Sequence, residues 1–242
     1  MLMTRTRAMV LRAVKYGESG LVVDMLTEKE GRVSFMVKLS KSPKGRFRKQ
    51  LFLPLTIVEV DFDYRMKSNL QRLLDIRMAQ PLPLLAMDPY KLSIGMFLAE
   101  FLCHATRDEH DNELLFNFVA FSMEWLNDVE GGFSNFHLVF MIRLSRFVGF
   151  FPNTDGADQG GYFDLLNACF TLTPPSHGHF LAPEEASKIA LLMRLTYKTM
   201  HLCAMSRRER NRCTEVILEY YRLHVPGFPQ MKSLEVLRQL FA

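Results

Sequence analysis

The chain has 242 residues, 48% of them hydrophobic, which is enough for one large domain or two small ones with buried cores. No run of 18 apolar residues occurs without a charge, and this excludes an obvious membrane span. The N-terminal stretch carries Arg5, Arg7 and Arg12 and lacks the continuous apolar segment of a secretion signal. We therefore expect a globular, cytoplasmic protein.

The basic charge is concentrated at the N-terminus. Overall net charge is only +4, yet residues 1–50 contain 12 of the 30 Lys and Arg and 4 of the 26 Asp and Glu. The first 50 residues therefore carry a net charge of +8 and the remainder −4. Such asymmetry indicates an anionic partner for the first segment, and the alternative is a solvated basic face with no partner.

The first third of the sequence alternates between apolar and polar residues, with the period of two that β-strands show. The clearest example is residues 58–64, where Glu59 and Asp61 alternate with valine and aromatic residues. Gly31 lies in a predicted hairpin turn, where it supplies a positive φ. The predicted strands are 9–14, 21–26, 33–37, 58–64 and 70–77. Five short strands joined by turns favour the OB-fold, a small five-stranded barrel.

After Pro81 the pattern changes to a helical period. The predicted fold class is therefore α+β with two domains, an OB-fold barrel over 1–80 and an all-α helical domain over 81–242. We predict helices that begin at Asp88-Pro89, Asp111, Ser134 and Pro183, at the capping box Ser206-Arg207-Arg208-Glu209, and near Lys232; the first is expected to end near Thr106, the third at Gly149 and the fifth near His224. The segment 151–183 is rich in Pro, Gly, Asn and Asp, and it is long enough that we expect it to have its own small structure or a function.

The strongest local feature is a basic segment, residues 38–49, with six cations in twelve residues. Ser, Pro and Gly extend its backbone and one aromatic residue is interleaved, a composition that suits a phosphate backbone with a stacked base. Arg12, Lys15 and Arg32 lie at neighbouring strand ends and extend the predicted surface. The predicted nucleic-acid-binding residues are Arg12, Lys15, Arg32, Lys38, Lys41, Lys44, Arg46, Phe47, Arg48 and Lys49. The alternative is a flexible, solvated loop.

No catalytic set is evident in the sequence. It contains no HExxH, no G-x-S-x-G and no Walker-type glycine loop, and Asp61 and Asp63 fit the solvent face of a strand. A zinc site at Cys169, His177 and His179 is judged unlikely because structural zinc usually takes four ligands from two close pairs. We expect a protein that is not an enzyme and has no cofactor.

The helical half is rich in Met and Phe, most of which have core spacing. A Met- and Phe-rich surface is adaptable, and beside Arg143, Arg146, Arg207, Arg208, Arg210 or Arg212 it would suit an acidic peptide with an apolar end. Arg143 and Arg146 are the predicted peptide-binding residues.

Several motifs, in order, closely resemble those of the recombination mediator family RecO. They are Tyr16-Gly17-Glu18-Ser19, Leu26-Thr27, Gly31-Arg32-Val33-Ser34, the segment 38–48, Pro54-Leu55-Thr56, and near the C-terminus Tyr220-Tyr221-Arg222-Leu223-His224 and Lys232-Ser233-Leu234-Glu235-Val236-Leu237. The resemblance covers both ends of the chain and the order of its two domains.

The resemblance implies an OB-fold that binds single- and double-stranded DNA, anneals complementary strands and works with RecR to load RecA onto DNA coated with single-stranded DNA-binding protein (SSB). It implies that the acidic SSB tail docks on the helical domain, that Lys38, Lys41, Lys44, Arg46 and Arg48 contact DNA, and that the protein is nucleoid-associated. Many family members hold a four-cysteine zinc module in the region matching 153–183, whereas this chain has only Cys169 there. Two alternatives stay open: an RNA-binding OB-fold protein and a non-catalytic interaction scaffold.

Overall fold

A computed structural model describes residues 2–40, 45–65, 67–110 and 112–240. Its N-terminal part is a closed barrel of five strands: β1 (Leu2–Tyr16), β2 (Gly20–Thr27), β3 (Gly31–Lys38), β4 (Ile57–Tyr64) and β5 (Gln71–Gln80). The strand order around the barrel is β1-β2-β3-β5-β4, with β3 and β5 parallel and the other neighbours antiparallel. The predicted five-stranded OB-type barrel is confirmed.

Alternating side chains build the barrel core. Val58, Val60 and Phe62 of β4 are fully buried, whereas the polar residues between them are partly exposed. The Phe62 ring packs edge-to-face against Phe35 of β3, with ring centroids 5.0 Å apart. Leu51, from a 3-10 turn between β3 and β4, completes this core. Because each strand presents one face inward, its other face is free to carry a ligand-binding surface.

The described residues contain seven α-helices, in the order α1 (Pro83–Met87), α2 (Pro89–Ala105), α3 (Glu113–Asp128), α4 (Phe136–Leu144), α5 (Pro183–Arg194), α6 (Arg207–His224) and α7 (Leu234–Gln239). Asp88 caps α2 by accepting hydrogen bonds from the amides of Tyr90 and Lys91, as predicted. The capping box at the start of α6 is also confirmed, with Ser206 and Glu209 bonded reciprocally. The short helix α1 was not predicted, and Asp111, the predicted start of α3, lies outside the described residues.

The boundaries of α4 differ from the prediction. Its N-cap is Asn135 rather than Ser134, and the regular helix ends at Leu144 rather than at Gly149. The chain continues in turns that close when the Phe150 amide donates to the Ser145 carbonyl, and Gly149 adopts a φ of 87°. Such a bond over a left-handed glycine is the usual way a helical segment stops, so the glycine signal marked the end of the turns and not of the α-helix.

The segment 151–183 has its own small structure. It forms a three-stranded sheet in the order β7-β6-β8, made of β6 (Tyr162–Asp164), β7 (Cys169–Thr171) and β8 (Phe180–Leu181). Asp164 organises the turn after β6, because its carboxylate accepts hydrogen bonds from the amides of Leu166 and Asn167. One of the two outcomes predicted for this segment is therefore confirmed.

The chain divides into two compact units. Unit 1 contains residues 1–128 and 231–237, so the barrel and α1–α3 belong to the same body; unit 2 contains 129–230 and 238–242. The boundary that we placed at about residue 81, where strands give way to helices, stays a prediction. Among the described residues, no helix combines the length and apolar character needed to span a bilayer.

Within unit 1, the β2–β3 turn packs directly on the segment after α2. Gly31 has a φ of 61°, and a Cβ at this position would overlap the carbonyl oxygen of Glu109. That carbonyl accepts a 2.9 Å hydrogen bond from the Arg32 amide. Only glycine meets both requirements, a left-handed backbone and a close approach, so the sequence fixes the helix end against the barrel here.

Candidate nucleic-acid interface

Strand register places one row of side chains across the outer face of the barrel. Val14 pairs with Val22, Val22 with Met36, and Met36 with Arg72, so these four residues lie side by side on β1, β2, β3 and β5. Residues paired across neighbouring strands share a face. Val14 and Met36 are exposed large hydrophobic residues, and the Arg72 side chain is exposed beside them. The row therefore presents three apolar side chains followed by the cation of Arg72.

A second row lies one step further along the strands. Tyr16 pairs with Gly20, and Gly20 pairs with Lys38. Tyr16 is 64% exposed, and Gly20 lies so close to it that a Cβ at this position would overlap the Tyr16 carbonyl oxygen. An exposed aromatic ring close to cations is the arrangement that stacks a base and neutralises the adjoining phosphate.

The basic segment begins directly at this second row. The amide of Leu39 donates to the carbonyl of Ser19 in the β1–β2 turn, which fixes the start of the segment beside Tyr16. Arg48 and Lys49 are exposed, and so is Arg46, whose guanidinium lies 3.9 Å from the Asp75 carboxylate. A pair at that distance and exposure leaves the arginine free to exchange partners. Lys41 and Lys44 lie outside the described residues.

Phe47 occupies a different environment from its basic neighbours. Its side chain is half-buried and packs against the barrel core. Its backbone is held at both ends, because its amide donates to the Ser40 hydroxyl and its carbonyl accepts from the Ser40 amide. These contacts fix the segment on the barrel and leave little of the ring for stacking on a base.

Arg12 and Arg32 lie on the same face but share an acidic partner. The Asp24 carboxylate is 2.7 Å from the Arg12 guanidinium and 3.1 Å from that of Arg32, and it also accepts from the Ser34 hydroxyl. Burial raises the pKa of Asp24, but the Arg32 charge and the hydrogen bonds from Ser34 and Arg12 outweigh burial and lower it. Arg12 remains 56% exposed, whereas Arg32 is only 11% exposed.

Lys15 is exposed and pairs with Leu21. By alternation its side chain leaves β1 on the opposite side from Tyr16. Of the described DNA-binding predictions, Lys38, Arg46, Arg48 and Lys49 are exposed cations, while Arg12 and Arg32 share the Asp24 carboxylate.

Sequence reasoning missed several residues that the fold brings to this surface. Tyr16 appeared only in the resemblance, and Arg72 lay in the predicted strand 70–77 without an assigned role. The β4–β5 loop adds Arg65 and Lys67, both exposed. The signal that could have found them is general: in an OB-fold, nucleic acid binds on the β2–β3 face and the loops β1–β2 and β4–β5.

The two predicted peptide-binding arginines of unit 2 have different surroundings. Arg143 donates from Nε and from a terminal nitrogen to the carbonyl of Leu195, at 3.2 and 2.9 Å, where α5 has ended. Arg146 is exposed, and its guanidinium lies 4.0 Å from the centroid of the Phe151 ring. Arg143 therefore holds the end of a helix, and Arg146 offers an exposed cation stacked on an aromatic ring.

The region that matches the zinc module does not fit a zinc ion. Cys169 is its one cysteine, and the two nearby histidines have separate partners: His177 contacts Asp164 at 3.3 Å and His179 contacts Glu219 at 3.4 Å. In the part of the chain that the structure describes, no three His, Cys, Asp or Glu side chains are grouped as metal ligands. Aromatic contacts such as Phe163 with Phe170 pack this sheet instead.

Family models match both parts of the chain. Residues 1–82 match the model described as "Recombination protein O N terminal", and residues 86–235 match "Recombination protein O C terminal". The first match covers the barrel and the outer face described above, and the second covers α2 to α6, the small sheet and parts of α1 and α7.

Curated relatives align along the whole length. The chain is 48% identical over 241 residues to the DNA repair protein RecO of Phocaeicola vulgatus, covering 100% of both chains. It is 44% identical to the DNA repair protein RecO of Bacteroides fragilis, covering 99% of this chain and 100% of the relative. It is 30% identical to that of Porphyromonas gingivalis, covering 98% of each.

Proposed function

Because the chain belongs to the RecO family, we propose that it is a DNA repair and recombination mediator that binds single- and double-stranded DNA, anneals complementary strands and, with RecR, helps to load RecA onto SSB-coated DNA. The observation that supports DNA binding is the outer face of the barrel, where exposed cations flank the exposed ring of Tyr16. On this proposal the protein works in the cytoplasm, at the nucleoid.

The mechanism requires no covalent step, and we propose that the protein is not an enzyme. Cations of the basic segment neutralise phosphates and release condensed counterions, which lowers the repulsion between two strands. Tyr16 and the apolar row hold unstacked bases outward, where a complementary strand can pair with them. Annealing then follows from charge neutralisation and strand alignment alone.

Salt dependence tests the DNA-binding role of the basic segment. If the segment makes about six phosphate contacts, the logarithm of the association constant for single-stranded DNA falls with log salt at a slope of roughly −4. Replacing Lys41, Lys44, Arg46 and Arg48 together by Ala should flatten the slope and abolish annealing. A variant with Lys198, Arg208, Arg222 and Lys232 changed to Ala removes the same charge and should keep the slope; an unchanged slope in the first variant contradicts the assignment.

Competition distinguishes DNA from the alternative ligand, RNA. Single-stranded DNA and RNA of one sequence would be titrated against a labelled DNA strand at fixed salt. Preference for DNA or equal competition is compatible with the mediator function, whereas strong preference for RNA would favour an RNA-processing role. Absence of binding to either at low salt would leave the interaction-scaffold interpretation.

We also propose that unit 2 receives the acidic, apolar-ended SSB tail. Arg146 supports this role because its guanidinium is exposed and stacked on Phe151, an arrangement that presents a cation beside an apolar surface. Arg143 contributes indirectly by fixing the backbone at Leu195.

A further inference from the structure

A basic cavity of about 420 Å³ lies in unit 1, separate from the basic segment. It is bounded by β1 and β3, by the β4–β5 loop and by the end of α2. Apart from Asp24, the arginines and histidines that line it are Arg12, Arg32, Arg65, Arg107, His104 and His110. Four guanidinium groups therefore surround a space in which Asp24 is the one carboxylate from the described residues, and the cavity carries an excess of positive charge.

Both walls of the cavity are held in place by buried contacts. Gln71 is only 5% exposed; its side-chain amide donates to the carbonyls of Arg65 and Ser68, and its oxygen accepts from the Arg65 amide. These three hydrogen bonds fix the β4–β5 loop. On the other side, the bond from the Arg32 amide to Glu109 fixes the segment that carries the cavity residues of the α2 end. The backbone on both sides of the cavity is thus fixed before a ligand arrives.

Asp24 orients the two strand arginines without neutralising the whole group. Its carboxylate binds Arg12 and Arg32 together, and Nε of Arg32 is a buried donor that has no acceptor among the described residues. Burial lowers the pKa of His104. The charges of Arg107, Arg12 and Arg32 also lower it, whereas the Glu100 carboxylate raises it. Four arginines against the single carboxylate of Asp24 disfavour a further cation in the cavity.

We propose that this cavity binds a phosphate monoester, carried either by the 5′ end of a DNA strand or by a free phosphate compound. Planar guanidinium groups match the oxygens of phosphate in paired hydrogen bonds. A monoester near neutral pH carries close to two negative charges, so it gains more from the excess charge than an internal phosphodiester does. The volume lies within the range of small-molecule sites and leaves room for an attached sugar. The proposal that a DNA 5′ end supplies the phosphate rests on the proposed DNA-binding function, whereas the proposal of a phosphate site does not.

Two oligonucleotides that differ only in a 5′-phosphate or a 5′-hydroxyl test the strand-end source. With the full chain at fixed salt, we expect about ten-fold tighter binding of the phosphorylated strand, the value of a charged hydrogen-bond pair. Arg65→Gln or Arg107→Gln should reduce this ratio towards one, since both side chains are exposed and neither makes a hydrogen bond or ion pair with another described residue. Arg222→Gln, on α6, should retain the ratio.

Inorganic phosphate tests the free source. Thermal unfolding of the wild-type chain in phosphate is compared with chloride at equal ionic strength, and protection that Arg65→Gln and Arg107→Gln lose supports the site even where the two oligonucleotides bind equally. No protection together with an oligonucleotide ratio of one overturns the proposal, although salt-dependent DNA binding would still stand. Conversely, phosphate protection without any DNA binding would contradict the proposed function and leave the cavity assignment intact.

Discussion

The Asp24 carboxylate and the Arg32 guanidinium lie 3.1 Å apart on neighbouring strands, and their side chains are 6% and 11% exposed. Asp24→Asn replaces one carboxylate oxygen with a nitrogen donor that faces another donor. Because a nearly buried charge then loses its partner, we expect the free energy of unfolding to fall by about 3 kcal/mol in urea titrations. Arg12→Ala, which removes the exposed partner of the same carboxylate, should cost less than about 1 kcal/mol.

The same pair makes stability depend on pH. Since the folded-state pKa of Asp24 is lowered, its contribution is complete above the unfolded value, about 3.9, and is lost as pH falls through the folded value. The stability difference between wild type and Asp24→Asn should therefore be constant from pH 7 to about 5 and shrink below about pH 4. A difference that stays constant down to pH 3 would show that the carboxylate charge is not the cause.

Gly31 and Gly17 form a matched pair for testing the close approach at the α2 end. Both have a left-handed φ, 61° and 63°, but a Cβ at Gly17 meets nothing within 4 Å whereas one at Gly31 overlaps Glu109. Gly17→Ala should lose about 1 kcal/mol from backbone strain alone. Gly31→Ala should lose at least about twice that in urea titrations, and equal losses at the two sites would contradict the packing described for Gly31.

Tyr16 is expected to stack on a base of single-stranded DNA. Tyr16→Ala should weaken binding by about 1–3 kcal/mol, the usual value of one base–aromatic stack, with little change in the salt slope because no charge is removed. Phe121→Ala on α3 removes another exposed ring, 58% exposed, and should leave the affinity unchanged. Fluorescence anisotropy over a range of salt concentrations measures both effects, and an unaltered affinity for Tyr16→Ala would exclude the ring from the interface.

Substitutions of Arg143 and Arg146 should affect two different properties of unit 2, its stability and its peptide binding. Arg143→Ala leaves the Leu195 carbonyl without its two donors, so we expect a loss of about 1–3 kcal/mol of stability. Arg146→Ala should keep the stability and weaken capture of an SSB tail peptide. A peptide without its terminal apolar residues is the control for specificity; equal capture of both peptides, or full capture by Arg146→Ala, would count against a pocket at this arginine.

The sequence predicted those parts of the fold that local patterns encode. Alternation around Phe62 identified β4, and Asp88 and Ser206 marked helix starts correctly, because capping depends on residues close in sequence. The predicted end of α4 was wrong because apolar residues continue past Leu144, where the backbone has already changed to turns.

Tertiary arrangement was harder to predict. Arg65 and Arg107 line the same cavity although they lie in different parts of the chain. The periodicity of the sequence does not predict that the β4–β5 loop and the end of α2 will meet. Phe47 shows the same difficulty: its position among cations suggested stacking on a base, whereas the fold half-buries it against the barrel. Composition located the basic surface, and strand register was needed to add Tyr16 and Arg72 to it.

Closure of the barrel rests on a short parallel seam, where Phe35 pairs with Gln71 and Met36 with Arg72. The antiparallel neighbours pair over longer stretches, so β3 and β5 are where the ring of strands separates with least loss of hydrogen bonds. A DNA strand lying across Met36 and Arg72 would bridge that seam from outside. Bound DNA would then slow amide hydrogen exchange along β3 and β5, because the ligand would stabilise the closed form of the barrel that binds it.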